Sequence, residues 1–183
     1  MGEGVCKVKR FLTGMMCAAV LLTGCGRAQT AELTPEEISR RLTADCRFTA
    51  EFAYESVEGC AEVEKSGDIF SITLTEPEVL LGLAFVLGPE GSQMIYGDTV
   101  IDLHDHTVHE EALAAILERA FAGADALTVK RQNGSILAEA DCTFFHYTVA
   151  LAEDTGYPTG ITVPELAIEI AISDYEPLTD GTA

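Results

Sequence analysis

Basic side chains are scarce in this sequence. Its 183 residues carry 11 Lys plus Arg against 30 Asp plus Glu, a formal net charge of −19. A polyphosphate is held by a clustered basic face, so nucleic acid is not an expected partner. Electrostatic adhesion to anionic lipid is disfavoured on the same ground. Long apolar runs are missing too. The run from Phe11 to Leu22 has 12 residues, interrupted by Thr13 and Gly14, which is too short to cross a ~30 Å hydrocarbon layer as a helix. No Gly-x-Ser-x-Gly elbow occurs, and the glycines at 88, 91, 97, 123 and 134 suit turns rather than a phosphate loop. The cysteine spacings match no zinc motif. Carboxylates are so plentiful that no pair stands out as acid and base. Neither a cofactor nor an enzymatic activity is expected. No repeat or composition break divides the chain, and 48% apolar content argues against global disorder.

What is present begins with an address. Lys7, Lys9 and Arg10 precede the apolar run, the order of a signal-peptide core with its basic flank. Leu22, Thr23, Gly24 and Cys25 follow, and this stretch resembles the bacterial lipobox. The resemblance implies a bacterial lipoprotein: diacylglyceration of the Cys25 thiol, cleavage just before it, and a lipid anchor on the extracytoplasmic face of the cell membrane. Small residues let the chain lie extended in a protease cleft, and Cys supplies the soft nucleophile for a thioether. Residues 1–24 hold Lys7, Lys9, Arg10 and Glu3, a net +2, so the remaining 159 residues carry −21. Such a domain stays soluble, and its attachment falls to the lipid. Cys46, Cys60 and Cys142 remain, an odd number. A turn near Ser56–Val57 sets Cys60 opposite about Ala53 rather than Cys46, which argues against a bridge between Cys46 and Cys60.

Residues 25–33 read as a tether, 34–176 as the folded domain and 177–183 as a polar tail. Thr34-Pro35-Glu36-Glu37 is a capping box with Pro at the first helical position, which predicts a short helix to about Thr43. The period then switches to two. Phe48, Ala50, Phe52 and Tyr54 alternate with polar residues, as do Ala61 and Val63, then Phe70, Ile72 and Leu74. Pro77 stops the third strand, and a helical turn at Glu78–Leu81 precedes the run Leu83–Leu87. Ser92–Tyr96 and Thr99–Leu103 form a hairpin about Gly97-Asp98. A sustained helix spans about His109 to Ala122, with Leu113, Ile116, Leu117, Ala120 and Phe121 in one stripe. Leu127–Arg131 and Ser135–Ala140 pair about Asn133-Gly134. Phe145, Tyr147, Val149 and Leu151 share a face, Asp154 to Pro158 reverses the chain, and Leu166, Ile168, Ile170 and Ile172 alternate in the last strand. Roughly nine antiparallel strands and two helices make an α+β fold, a curved sheet with helices on its apolar face.

This order of elements resembles the LolA-like superfamily, the lipoprotein carriers and their lipid-anchored relatives. The likeness rests on the strand Phe48-Thr49-Ala50-Glu51-Phe52 after a capped helix and on Pro77-Glu78-Val79-Leu80-Leu81-Gly82-Leu83-Ala84-Phe85. It rests also on Asp154-Thr155-Gly156-Tyr157-Pro158 and on a strand ending Ser173-Asp174-Tyr175. The resemblance implies an unclosed antiparallel barrel with the helices on its concave side around an apolar cavity. Phe48, Phe52, Phe70, Ile72, Phe85 and Tyr147 are the large residues expected to line it. The ligand implied is a lipid or the acyl chain of a lipoprotein.

The densest group of metal-competent side chains is His104, Asp105, His106 and His109. An extended 103–106 puts His104 and His106 on one face, and His109 would close a three-imidazole site suited to zinc. The plainer reading is a solvated strand-to-helix connection in which Asp105 or Thr107 caps the helix. Three functional readings therefore stand: a lipid-anchored binder of an apolar ligand, a structural or protein-interaction lipoprotein of the cell envelope with a solid core, and a metal-site protein or enzyme. The address is testable by itself. Cys25→Ser should release the protein from membranes or leave it as uncleaved precursor, read by fractionation and mass; a normally cleaved, membrane-bound Ser variant would refute the lipobox.

Overall fold

The computed structural model describes residues 33–54, 57–103, 113–122, 127–132, 134–142 and 145–178. The signal segment, Cys25, the segment with His104, His106 and His109, and the end of the tail lie outside them.

The first helix, α1 (Pro35–Thr43), forms where the capping box places it. The Thr34 side chain accepts from the Glu37 N–H at 3.2 Å, Pro35 opens the helix, and Ile38 and Leu42 face inward, fully buried. At nine residues it is too short to persist alone. Its C-terminal end is fastened by Lys65, the one buried charged side chain among the described residues. Lys65 Nζ donates to the carbonyls of Thr43 (2.5 Å) and Gly67 (2.9 Å), with Asp45 Oδ1 at 3.9 Å and the Phe70 ring centre at 5.8 Å. A cation on the last carbonyls of a helix also suits its dipole.

Six strands then run as a meander: β1 (Cys46–Tyr54), β2 (Val57–Ser66), β3 (Ile69–Glu76), β4 (Ala84–Gly88), β5 (Gly91–Tyr96) and β6 (Thr99–Leu103). After the second helix, α2 (Leu113–Ala122), five more follow: β7 (Thr128–Gln132), β8 (Ser135–Asp141), β9 (His146–Ala152), β10 (Pro158–Val163) and β11 (Ile168–Pro177). They form a single antiparallel sheet in the order β6-β5-β4-β3-β2-β1-β11-β10-β9-β8-β7. The first and last strands meet at its centre, and β6 and β7 are the open edges. A twisted open sheet of this many strands curls, so the sequence-predicted unclosed α+β architecture is the one observed.

Alternation assigns the faces. Cys46, Phe48 and Ala50 of β1 point inward with Val63 and Ala61 of β2, Phe70, Ile72 and Leu74 of β3, and Ile168, Ile170 and Ile172 of β11. Helix α2 lays Ile116, Leu117, Ala120 and Phe121 on this face. The Phe121 ring stacks on Phe48 at 4.9 Å between centres and meets Phe70 at 6.4 Å. Such pairs stabilise beyond the area they bury.

A bulge adjusts the seam between β1 and β11. Arg47 pairs with Glu176 but Thr49 with Ser173, so Phe48 faces two residues, and Asp174 takes the left-handed conformation (φ 51°). The extra residue turns Tyr175 inward, where it stacks on Phe48 at 6.1 Å and meets Tyr157 at 5.1 Å. Its hydroxyl is hydrogen-bonded to the buried Cys46 thiol, and burial raises the pKa of the thiol and pushes that of the phenol far up.

Several expectations shift. The described residues form eleven strands rather than about nine; β10 went unread because Pro158 and Gly160 dilute its alternation. Gly160 is required there, since a Cβ would sit 2.9 Å from the Ile170 carbonyl oxygen. Leu166 belongs to a 3-10 turn (Pro164–Leu166), and the last strand starts at Ile168 and extends to Pro177. Tyr54 pairs directly with Val57, which sets Cys60 opposite Glu51 and Cys46 opposite Lys65. No disulfide forms among the described cysteines.

Leu117→Asp should cost about 3–5 kcal/mol by placing an unpaired charge in the core, measured by urea unfolding. The Cys46–Tyr175 pair predicts a pH response. The unfolded thiol ionises near pH ~8.5 and the phenol near ~10. The folded state keeps both protons beyond those values, so the unfolded state releases protons first and stability falls as pH rises through this window. Urea midpoints should drop between about pH 7.5 and 10, and Cys46→Ala should flatten that drop.

Candidate functional site

The six large residues named from sequence fall into two groups. Phe48, Phe70, Ile72 and Tyr147 are buried to 4% exposure or less, packed under the helices and their neighbours. Burial raises the Tyr147 phenol, whose hydroxyl donates to the Arg119 carbonyl at 3.4 Å. Phe52 and Phe85 are half-buried at the rim of that core. The Phe52 ring lies over Gly59 of β2, where any side chain would collide with it.

From these two rim residues the inner face continues into solvent. Phe52 leads to Tyr54, which pairs with Val57. Phe85 is aligned with Met94 of β5 and Ile101 of β6, and Tyr96 shares their face. Tyr54, Val57, Tyr96 and Ile101 are 42–54% exposed. Beside them, the loop after β3 adds Val79 (76%) and Leu81 (57%). These residues gather at the end of the sheet holding the β1–β2 link, the 77–83 loop and the two-residue β5–β6 turn, which Gly97 makes in the left-handed region (φ 57°). The opposite end is closed. There α1 packs, and its Arg41 side chain donates to the Thr155 carbonyl and, at 3.0 Å, to Glu37 Oε1.

Sequence reasoning selected Phe52 and Phe85 but missed Tyr54, Val57, Met94, Tyr96 and Ile101 as a group. Alternation marks such residues as inward-facing, and does not tell whether a helix covers them. One signal was available: no Lys or Arg occurs from residue 66 to 118, so the whole β3–β6 arm lacks basic charge.

Two pockets lie elsewhere. One of about 310 Å³ sits over Lys65 and Phe70 beside Glu118 of α2. The other, about 720 Å³, lies by the β4–β5 turn and is lined by Ile69, Val86, Pro89, Glu90, Gln93 and Asp102 among others. Among the described residues no cluster of three or more His, Cys, Asp or Glu could hold a metal. The three-His arrangement itself lies outside them. His146 is half-exposed with Nδ1 3.0 Å from Asp141 Oδ1. No helix among the described residues is long and apolar enough to cross a membrane.

No family model and no curated protein matches this chain. Solved structures do. An uncharacterized conserved protein from Thermus thermophilus superposes with a TM-score of 0.53 at 9% identity, over 79% of this chain and 85% of its own. A LolA superfamily protein from Nitrosomonas europaea gives 0.46 at 12% identity, over 81% and 95%. MucB gives 0.49 at 12%, over 81% of this chain and 60% of MucB. The first of these, at 9% identity, is a likeness of fold alone. The open antiparallel sheet with helices on its inner face is the architecture that the sequence resemblance to the LolA-like superfamily implies.

Proposed function

We propose that this chain is a lipid-anchored lipoprotein of the extracytoplasmic membrane face, and that it binds an apolar ligand rather than catalysing a reaction. The ligand is a lipid or the acyl chain of a lipoprotein, held on the uncovered inner-face strip between Phe52 and Phe85. The observation that carries this reading is the strip itself. Large exposed apolar side chains are scattered on most soluble domains, whereas here Tyr54, Val57, Tyr96 and Ile101 extend one core-facing surface at one end of the sheet. Covering apolar area gains ~25 cal/mol per Å² before the costs of ordering the ligand. The acidic exterior favours neutral or cationic headgroups over phosphate-rich ones.

A second reading, a protein-interaction lipoprotein with a solid core, draws on the tight packing of Phe48, Phe70, Ile72 and Tyr147. A fluorescent fatty acid titrated into the full chain separates the two. Saturable binding that weakens about tenfold or more in Tyr96→Glu and Val57→Glu supports the strip as the ligand surface. Both positions are exposed, so the variants should fold with unchanged thermal midpoints. No saturable binding, or binding indifferent to both substitutions, leaves the solid-core reading.

A further inference from the structure

The two open edges of the sheet are built differently. Edge strand β7 carries Lys130, Arg131 and Gln132, all exposed; Lys130 pairs with Glu139 at 2.6 Å and Arg131 with Glu153 at 4.0 Å. Charged side chains on an edge discourage another strand from adding to it. Edge strand β6, Thr-Val-Ile-Asp-Leu, has no basic residue, and Val100 (57%) and Ile101 (44%) stand exposed on its two faces. Among the described residues no strand pairs with its outer side.

We propose that β6 is a docking edge for an extended, cationic segment of a partner protein, which joins the sheet as a further strand. Three observations select this occupant. First, the arm from 68 to 103 contains six Asp or Glu and no Lys or Arg. A second copy docking by its own β6 would bring the same negative charge, and the basic side chains of its β7 are already paired with Glu139 and Glu153, whereas a free basic segment is drawn to the edge. Second, the 720 Å³ groove opens on the outer face against β6, with Asp102 and Glu90 in its wall beside Ile69 and Val86. Side chains on one face of an added strand would enter there, and a Lys or Arg would find carboxylates at hand. Third, Ile101 and Leu103 lie on the other face of β6 with Met94, so the alternate side chains of the added strand meet an apolar surface. The segment recognised therefore alternates basic and apolar residues. Backbone pairing supplies the affinity and the two faces supply the selectivity. This proposal does not rest on the apolar-ligand reading.

The probe is a capped, fluorescent octapeptide of alternating Lys and Val, titrated into the full chain at moderate salt and followed by anisotropy. The expected result is saturable binding, with amide-exchange protection gained at 99–103. Two further peptides, N-methylated at every second residue in opposite phases, test the backbone pairing; one phase should lose about tenfold or more. An alternating Glu–Val peptide should not bind. Val100→Lys, at an exposed position, should weaken the Lys–Val peptide to a similar degree while the fold holds. The proposal is overturned if both N-methylated peptides bind like the parent, since the binding is then only diffuse charge attraction, or if Val100→Lys leaves affinity unchanged, since the binding is then away from β6. Sedimentation showing a dimer that Val100→Lys dissociates also overturns it, by giving the edge to a second copy.

Discussion

Much of this structure follows from a mismatch of areas. Eleven strands present one apolar face, and the helices known to cover it are nine and ten residues long. A helix of ten residues is about 15 Å long, and helices pack about 8–10 Å apart, so two of them shield only part of such a sheet. The shielded part is a dense core around Phe48, Phe70 and Phe121. The exposed part lies at the end away from α1, where the same alternation goes on beyond the reach of the described helices.

The outer face has the opposite character. Around β1, β2 and β11 it carries Glu51, Glu62, Glu64, Glu169 and Glu176 with Arg47 among them, Arg47 Nη2 lying 2.8 Å from Glu64 Oε2. An exposed pair of this kind contributes little stability. Its surroundings keep the centre of the sheet hydrated and separate from neighbours. The exceptions are the arm strands β4 to β6, where Val86, Ile95 and Val100 occupy outer positions in place of charge. The outer face of the arm is thus more apolar than that of the central strands.

The sequence made the local elements legible and left the long-range ones hidden. Thr34-Pro35-Glu36-Glu37 announces α1 because a cap acts within four residues. The strands of Phe48, Phe70 and Tyr147 announce themselves by period two. Neighbour order does not. Nothing near Cys46 reveals that Pro177 lies opposite, since pairing across the whole chain leaves no local pattern. The buried Lys65 was equally hidden: its partners, the Thr43 and Gly67 carbonyls, are backbone groups that every residue possesses. For the candidate site, Phe52 and Phe85 were readable by size and alternation. Their separation from Phe48 and Phe70 was not, because coverage depends on where α2 lands.

The central seam between β1 and β11 has a consequence in time. Residues 46–54 pair with residues 168–177, so the middle of the sheet joins segments more than a hundred residues apart. Contacts of that span are formed late and slowly, because the loop between them must first be closed. Until the last strand has emerged, β1 lacks one of its two neighbours and the inner face stays divided into two meanders. A chain arranged in this way holds off final assembly until β11 is present, so the joining of the two halves of the inner face is a late event.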